Sequence, residues 1–143
     1  MSRPDPRGTW LIYLFIIAVS ATVLTIAAKL TPSPLGHGTH TQLGMPPCSF
    51  VVMTGYPCPS CGWTTAFAYM MHAKPLASFR TQPFGALLCL ATAFAGMLSL
   101  LGLLFRVRVV AWIERWRWPW IAGSGIFMML ASWAYKAVTM RHG

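Results

Sequence analysis

The sequence predicts an all-α integral membrane protein. Three transmembrane helices are expected, plus a short interfacial or re-entrant helix after a cysteine-bearing outer loop. Three observations lead there. Over half of the 143 residues are apolar and only 9% are charged, whereas a soluble domain carries about 25% charged residues. That deficit leaves too little polar surface to face water. Three uncharged stretches are each long enough to cross a hydrocarbon core, which takes roughly 17–25 predominantly apolar residues. They are GTWLIYLFIIAVSATVLTIAA at 8–28, TQPFGALLCLATAFAGMLSLLGLLF at 81–105 and WPWIAGSGIFMMLASWAY at 118–135. Finally, Trp10, Trp118, Trp120 and Tyr135 lie near the ends of these stretches, where amphipathic rings favour the headgroup region.

The elements follow in order within a single membrane domain, 1–143. Residues 1–8 are a polar tail carrying Arg3 and Arg7. A cleaved signal peptide has an apolar core of about 7–15 residues and ends near a small-x-small site. The stretch at 8–28 is longer and runs into Lys29, so a retained span is expected. Residues 29–50, KLTPSPLGHGTHTQLGMPPCSF, are rich in Pro, Gly, Thr and Ser and read as loop. The cysteine loop and short helix occupy 46–73. The segment WTTAFAYMMHA at 63–73 is helical in pattern but far too short to span. Lys74 and Pro75 end it, because proline disfavours helical backbone in the residue before it.

Residues 49–73 are also uncharged and long enough for a fourth crossing. Gly55, Pro57, Pro59 and Gly62 interrupt them, and irregular backbone at membrane depth survives only when buried in protein or lining a cavity. Three crossings are therefore expected. In the second span Ala91, Ala95 and Ser99 recur every four positions, a candidate helix-contact face. Cys89 there reads as small apolar filler. Residues 106–118, RVRVVAWIERWRW, form an amphipathic connector. Trp112, Trp116 and Trp120 share one helix face, as in an interfacial helix.

The net charge of +9 is accounted for by the membrane. Arg3, Arg7, Arg106, Arg108, Arg115 and Arg117 flank the spans, where basic side chains meet anionic lipid. No nucleic-acid-binding motif is present. Four arginines on one short loop, 106–117, place that loop and the N-terminus on the cytoplasmic side. The cysteine loop then faces outward from the cytoplasmic membrane. Asp5 and Glu114 are the only acids, both outside the spans. Paired-carboxylate glycoside hydrolysis, a Ser-His-Asp triad and an intramembrane carboxylate proton relay are thereby excluded. There is no Walker loop and no GxGxxG. Glu114 has Arg117 or Arg108 as a surface partner, a pairing worth little.

The chemistry concentrates in GYPCPSCGWTTAF, residues 55–67. In a zinc knuckle of the CPxCG type, proline fixes one φ and glycine allows positive φ near the metal. Zinc takes four N or S donors in a tetrahedron. Cys58 and Cys61 give two, Cys48 a third, and His37, His40 or His72 is the candidate fourth. Met45, Met53, Met70 and Met71 are nearby in sequence, and soft thioethers suit copper(I). A c-type haem site is excluded, since CPSCG lacks the histidine of C-x-x-C-H. The redox reading uses the same atoms. Cys61 lies just before a helix, where a thiolate is stabilised, so Cys58 and Cys61 are a candidate catalytic dithiol. A plain staple from Cys48 to Cys58 or Cys61 is the third reading, adding roughly 2–3 kcal/mol. Thr64 and Thr65 are candidate helix caps, and His72 ends the short helix.

The run MPPCSFVVMTGYPCPSCGWTTAF, followed by HAKPLASFRTQPFGALL, resembles the bacterial small membrane proteins of the domain of unknown function 2752 family. Their signature is a single Cys, a Thr-Gly step, CPxCGxTRA, and an Asn-Pro that opens a membrane helix. Cys48, Thr54, Gly55, Cys58, Pro59, Cys61, Gly62, Thr64, Ala66 and Pro83 match it. Thr65 stands where the family usually has Arg, and Gln82 where it usually has Asn. The resemblance implies an integral membrane protein of unassigned activity. The leading expectation is a non-enzymatic small membrane protein with a metal- or disulfide-ordered outer loop, zinc being the candidate cofactor. Its partners would be lipid and either other subunits of a larger assembly or copies of itself. The alternatives are a membrane thiol–disulfide oxidoreductase using Cys58 and Cys61, and a pore or transporter subunit.

Overall fold

The computed structural model describes residues 6–105 and 117–141, with side chains described over 10–105 and 117–139. Three long helices carry the apolar stretches: α1 (Pro6–Lys29), α5 (Pro83–Phe105) and α6 (Trp118–Arg141). Three short ones, α2 (Ser49–Thr54), α3 (Trp63–Met71) and α4 (Pro75–Thr81), lie between α1 and α5, together with a 3-10 turn at Thr39–Leu43. No strand occurs among the described residues. At about 1.5 Å per residue, each long helix exceeds a hydrocarbon core of about 30 Å. Segments Trp10–Lys29, Pro83–Phe105 and Trp118–Thr139 are long and apolar enough to cross a membrane, as expected. Most of the amphipathic connector, with Trp112, Trp116 and Glu114, lies outside the described residues.

Local chemistry fixes the helix ends. Pro6 and Pro83 open α1 and α5, where the missing N–H would have had no intrahelical partner. Lys29 closes α1 at the negative end of its dipole. Gln82, before Pro83, is extended (φ −159°), as its position before proline favours. Helix α6 runs six residues beyond the apolar stretch and so takes in Lys136.

Helices α1 and α5 pair antiparallel along narrow stripes of small or compact residues. On α1 the buried positions are Tyr13, Ser20 and Ala27, spaced by seven. On α5, Gly85, Cys89, Ser99 and Gly102 are buried, and Gly96 closes on Ser20, where an added Cβ would sit 3.0 Å from the Ser20 Cβ. The contact face expected at Ala91, Ala95 and Ser99 is therefore corrected: Ser99 is buried but Ala91 and Ala95 are exposed. A strict four-residue repeat drifts around a 3.6-residue helix, whereas spacings of four and three stay on one side. Gly96→Leu is expected to destabilise the pair by about 2 kcal/mol through overpacking, and Ala95→Leu to be nearly neutral. Thermal unfolding in detergent reads the difference; equal effects would contradict this interface.

Helix α3 wedges into one end of that pair. Ala66 and Ala68 are fully covered, and Phe67 meets Ala27 of α1 and Cys89 of α5, with Leu24, Met70 and Leu88 around them. Cys89 lies six residues into α5, roughly 9 Å from its start. An added Cβ at Gly85 would lie 3.1 Å from the Ala66 Cβ and 3.2 Å from the Trp63 Cα. The segment 49–73 thus breaks into two short helices rather than one crossing, and its irregular middle packs against protein. Helix α4 is tied down by Ser78, whose Oγ donates to the Ala66 carbonyl at 2.6 Å. Helix α6 joins this same end through Ser132, Trp133 and Lys136.

Candidate metal centre

The sulfur cluster is assembled by three turns. Cys48 caps the start of α2, which ends at Gly55 in the left-handed region (φ 72°). The chain returns through Tyr56 and Pro57 to Cys58. There the Cys61 N–H donates to the Cys58 carbonyl at 2.9 Å, and the Trp63 N–H to the Ser60 carbonyl at 3.2 Å. Gly62 (φ 94°) then turns the backbone into α3. All four cysteines are thiols. The Sγ atoms of Cys48, Cys58 and Cys61 lie within 4.8 Å of one another, and Cys48 and Cys58 are 3.6 Å apart. With Zn–S bonds of about 2.3 Å, a tetrahedral site has sulfur–sulfur edges of roughly 3.8 Å. A disulfide needs about 2.05 Å. The cluster is spaced for an ion between the sulfurs.

The three thiols differ in environment. Cys61 is buried, and burial, then the neighbouring Cys58 and Cys48 charges, push its thiol up to about 11. This reverses the expectation that a cysteine ahead of a helix is the activated one. Cys48 moves the other way: the Val51 backbone N–H, then Cys58 and Phe50, favour its thiolate over the opposing effect of burial. The low-pKa position belongs to the start of α2, not of α3. Ser60 Oγ lies 3.4 Å from Cys58 Sγ.

The candidate histidines do not join the sulfurs. His72 closes α3, and its Nδ1 bonds the Ala68 carbonyl at 2.8 Å. His40 Nε2 meets the Pro46 carbonyl at 3.3 Å. Burial, and then the Lys136 charge, lower the pKa of His37, which puts that ring near α6. Nor do Thr64 and Thr65 cap α3, which has Gly62 at its N-cap and no side-chain cap bond. Thr65 is fully buried and pairs its Oγ1 with that of Thr39 at 2.8 Å. Thr39 in turn accepts the Ser33 N–H.

The knuckle is held to the helices by buried polar bonds. Trp133 Nε1 donates to the Pro57 carbonyl at 2.8 Å. Gln82, fully buried, donates from Nε2 to the Pro59 carbonyl at 3.3 Å and accepts the Ser132 hydroxyl at 2.9 Å. Lys136 Nζ donates to the carbonyls of Gly36 (2.7 Å) and Thr81 (3.1 Å).

A family model covers this region. The family described as "Protein of unknown function (DUF2752)" matches residues 48–96. The match, about a third of the chain, starts at the first cysteine of the cluster, runs through α3 and α4, and ends at the α5 glycine that closes on α1. The resemblance drawn from the cysteine motif is borne out over that segment. No curated protein and no solved structure matches the chain. The DUF2752 segment stops short of α6, yet α6 supplies Ser132, Trp133 and Lys136. Sequence reasoning did not single out Lys136. Its one sequence signal was adjacency to an apolar stretch whose helix runs on past it.

Proposed function

We propose that this chain is a non-enzymatic protein of the cytoplasmic membrane whose outward-facing loop is ordered by zinc on Cys48, Cys58 and Cys61. We also propose that it serves as a subunit of a larger membrane assembly. The observation that carries the reading is the convergence of three sulfurs, from positions ten and three residues apart, within 4.8 Å. Thiolates are soft donors that zinc accepts in structural sites. Copper(I) is less well served, because Met53 is 84% exposed and Met70 packs into the core beside Phe67. Three donors leave one position of a tetrahedron. In this reading water or a partner subunit fills it, which gives assembly a chemical role. The arginines of the 106–117 loop support a cytoplasmic N-terminus. The cysteine centre lies at the other end of α1 and α5, which in this reading faces outward.

A second reading, a membrane thiol–disulfide oxidoreductase, is favoured by one feature. Cys48 has the stabilised thiolate and lies 3.6 Å from Cys58, so the reactive pair would be Cys48 and Cys58 rather than Cys58 and Cys61. One experiment separates the two readings. Protein purified in mild detergent without reductant is assayed for metal and for alkylation by N-ethylmaleimide. About one zinc per chain is expected, with the three thiols protected until a chelator is added. Cys48 then reacts first and Cys61 last. A metal-free protein with Cys48 bridged to Cys58 would replace the first reading by the second.

A further inference from the structure

Lys136 is the buried cation that the metal reading leaves unexplained. It is 4% exposed, on a helix long and apolar enough to span a membrane. An ammonium in such surroundings is costly unless an opposite charge pairs with it. No aspartate or glutamate occurs among the described residues. The carbonyls of Gly36 and Thr81 accept two of its N–H bonds, but they solvate the charge without neutralising it.

The slot around Nζ is cleared by two glycines in the left-handed region. A Cβ at Gly36 (φ 71°) would sit 2.8 Å from Nζ. One at Gly62 (φ 94°) would sit 3.4 Å from Nζ and 2.8 Å from the Gly36 carbonyl. Side chains rarely adopt that backbone, and here they would also occupy the cation's place. Gly62 directly follows Cys61, so the ammonium lies against the knuckle backbone. The titratable groups beside it are Cys61 and His37. Burial and the Lys136 charge keep His37 toward its neutral form, so the histidine supplies no negative charge. Among the described residues only the cysteine cluster can. Three thiolates on a divalent ion carry one net negative charge, and one lysine balances it.

We propose that Lys136 is the counter-charge of the sulfur centre, a positioning residue on α6 that holds the three-thiolate metal site electrically neutral at the end of the bundle. This rests on the zinc reading above. The cation also makes the docking of α6 and the loading of the site a single linked event. Metal should draw the end of α6 onto the knuckle, and loss of α6 contact should weaken metal binding by the same factor.

The test uses the full chain in detergent micelles, titrated with cobalt(II) and followed by thiolate-to-cobalt charge-transfer absorption, with zinc as competitor. Lys136→Gln keeps N–H donors for the carbonyls and removes the charge, and Lys136→Arg keeps the charge. Loss of a partner around a metal site typically costs about 10- to 100-fold in metal affinity. That loss is expected for Lys136→Gln, with Lys136→Arg restoring affinity to within a few-fold of wild type. Equal affinity for Lys136→Gln and wild type would overturn the counter-charge and leave Lys136 as a hydrogen-bonding anchor alone. A wild-type chain that takes up no metal would instead overturn the zinc reading itself. The unmutated protein gives a second measurement should the Gln variant fold poorly. The chain has only three lysines, Lys29, Lys74 and Lys136, so a spectrum of protein with 13C-labelled lysine Cε is readily assigned. Zinc is expected to shift the Lys136 resonance and leave the other two in place. An unmoved Lys136 signal would refute the proposal.

Discussion

Cys61→Ser is expected to abolish the stoichiometric zinc binding proposed above and to unlock α2, while Cys89→Ser should leave metal uptake unchanged. The two residues are the buried cysteines of the chain, so burial alone does not separate them. Cys61 belongs to the sulfur cluster, whereas Cys89 packs with Ala27 and Phe67 in the α1–α3–α5 core. Serine at 89 buries a hydroxyl in that core and lowers stability by about 1–3 kcal/mol, without touching the site.

The effect at the cluster is larger because metal binding and local folding are one equilibrium. Helix α2 has no buried residue, and Phe50, Val52 and Met53 are all exposed. A six-residue helix does not hold itself together in water. In the zinc reading, an ion between Cys48, at its start, and Cys58 and Cys61, beyond its end, would supply the constraint. Hydrogen exchange should therefore rise through 49–54 in Cys61→Ser and in chelated wild type, while α3 stays protected by its packing. Unchanged exchange in α2 after complete metal loss would show that the ion is not what orders the loop. Acid has the same sign as chelator. Each thiol must lose a proton to bind, so affinity falls as pH falls. The proton on Cys61, held up to about 11 without metal, is the hardest to displace.

The membrane helices were legible because lipid imposes a composition that needs no tertiary knowledge. Uncharged runs and aromatic ends gave all three spans. The helix-contact face was not, since several small-residue registers exist on an apolar helix. Which of them meets α1 depends on the Ser20–Gly96 approach, a contact between residues 76 positions apart. The cysteine trio was legible from CPSCG plus a third thiol upstream. Its electrostatics were not: the helix-start rule favours a thiolate at Cys61, but burial, and then the neighbouring Cys58 and Cys48, override it. The histidine ligands failed for a different reason. Spacing shows that a ring can reach a site, not that the Ala68 or Pro46 carbonyl has already engaged it. Thr65 and Gln82, both within the matched segment, prove to be fully buried. At Thr65 the partner is a neutral threonine on the 3-10 turn, a pairing that no local pattern announces.

Gln82→Leu should be among the most destabilising single changes in the protein, at about 3–5 kcal/mol. Its amide joins three parts of the chain that are far apart in sequence. Nε2 donates to the Pro59 carbonyl within the CPSCG knuckle, and Oε1 accepts from Ser132 on α6. The orientation follows from the partner, since a proline carbonyl can only accept. Ser132 then accepts the Phe84 N–H at 3.1 Å, one of the first N–H groups of α5, which have no partner within the helix. Leucine matches the volume but leaves the Pro59 carbonyl and the Ser132 hydroxyl without their partner. Each orphaned buried group costs about 1–3 kcal/mol, and an apolar replacement on one side only is the unfavourable case. Gln82→Asn keeps the amide on a shorter stem and should recover part of the loss. Thermal unfolding gives the size of the effect, and hydrogen exchange gives its location. The Phe84 amide should lose protection first, because α6 no longer holds Ser132 over it, and metal affinity should fall with it as the knuckle loosens. If Gln82→Leu melts like wild type with Phe84 still protected, the amide bridge is not what fastens α6 to the cysteine centre. The fastening would then rest on Trp133 and Lys136 alone.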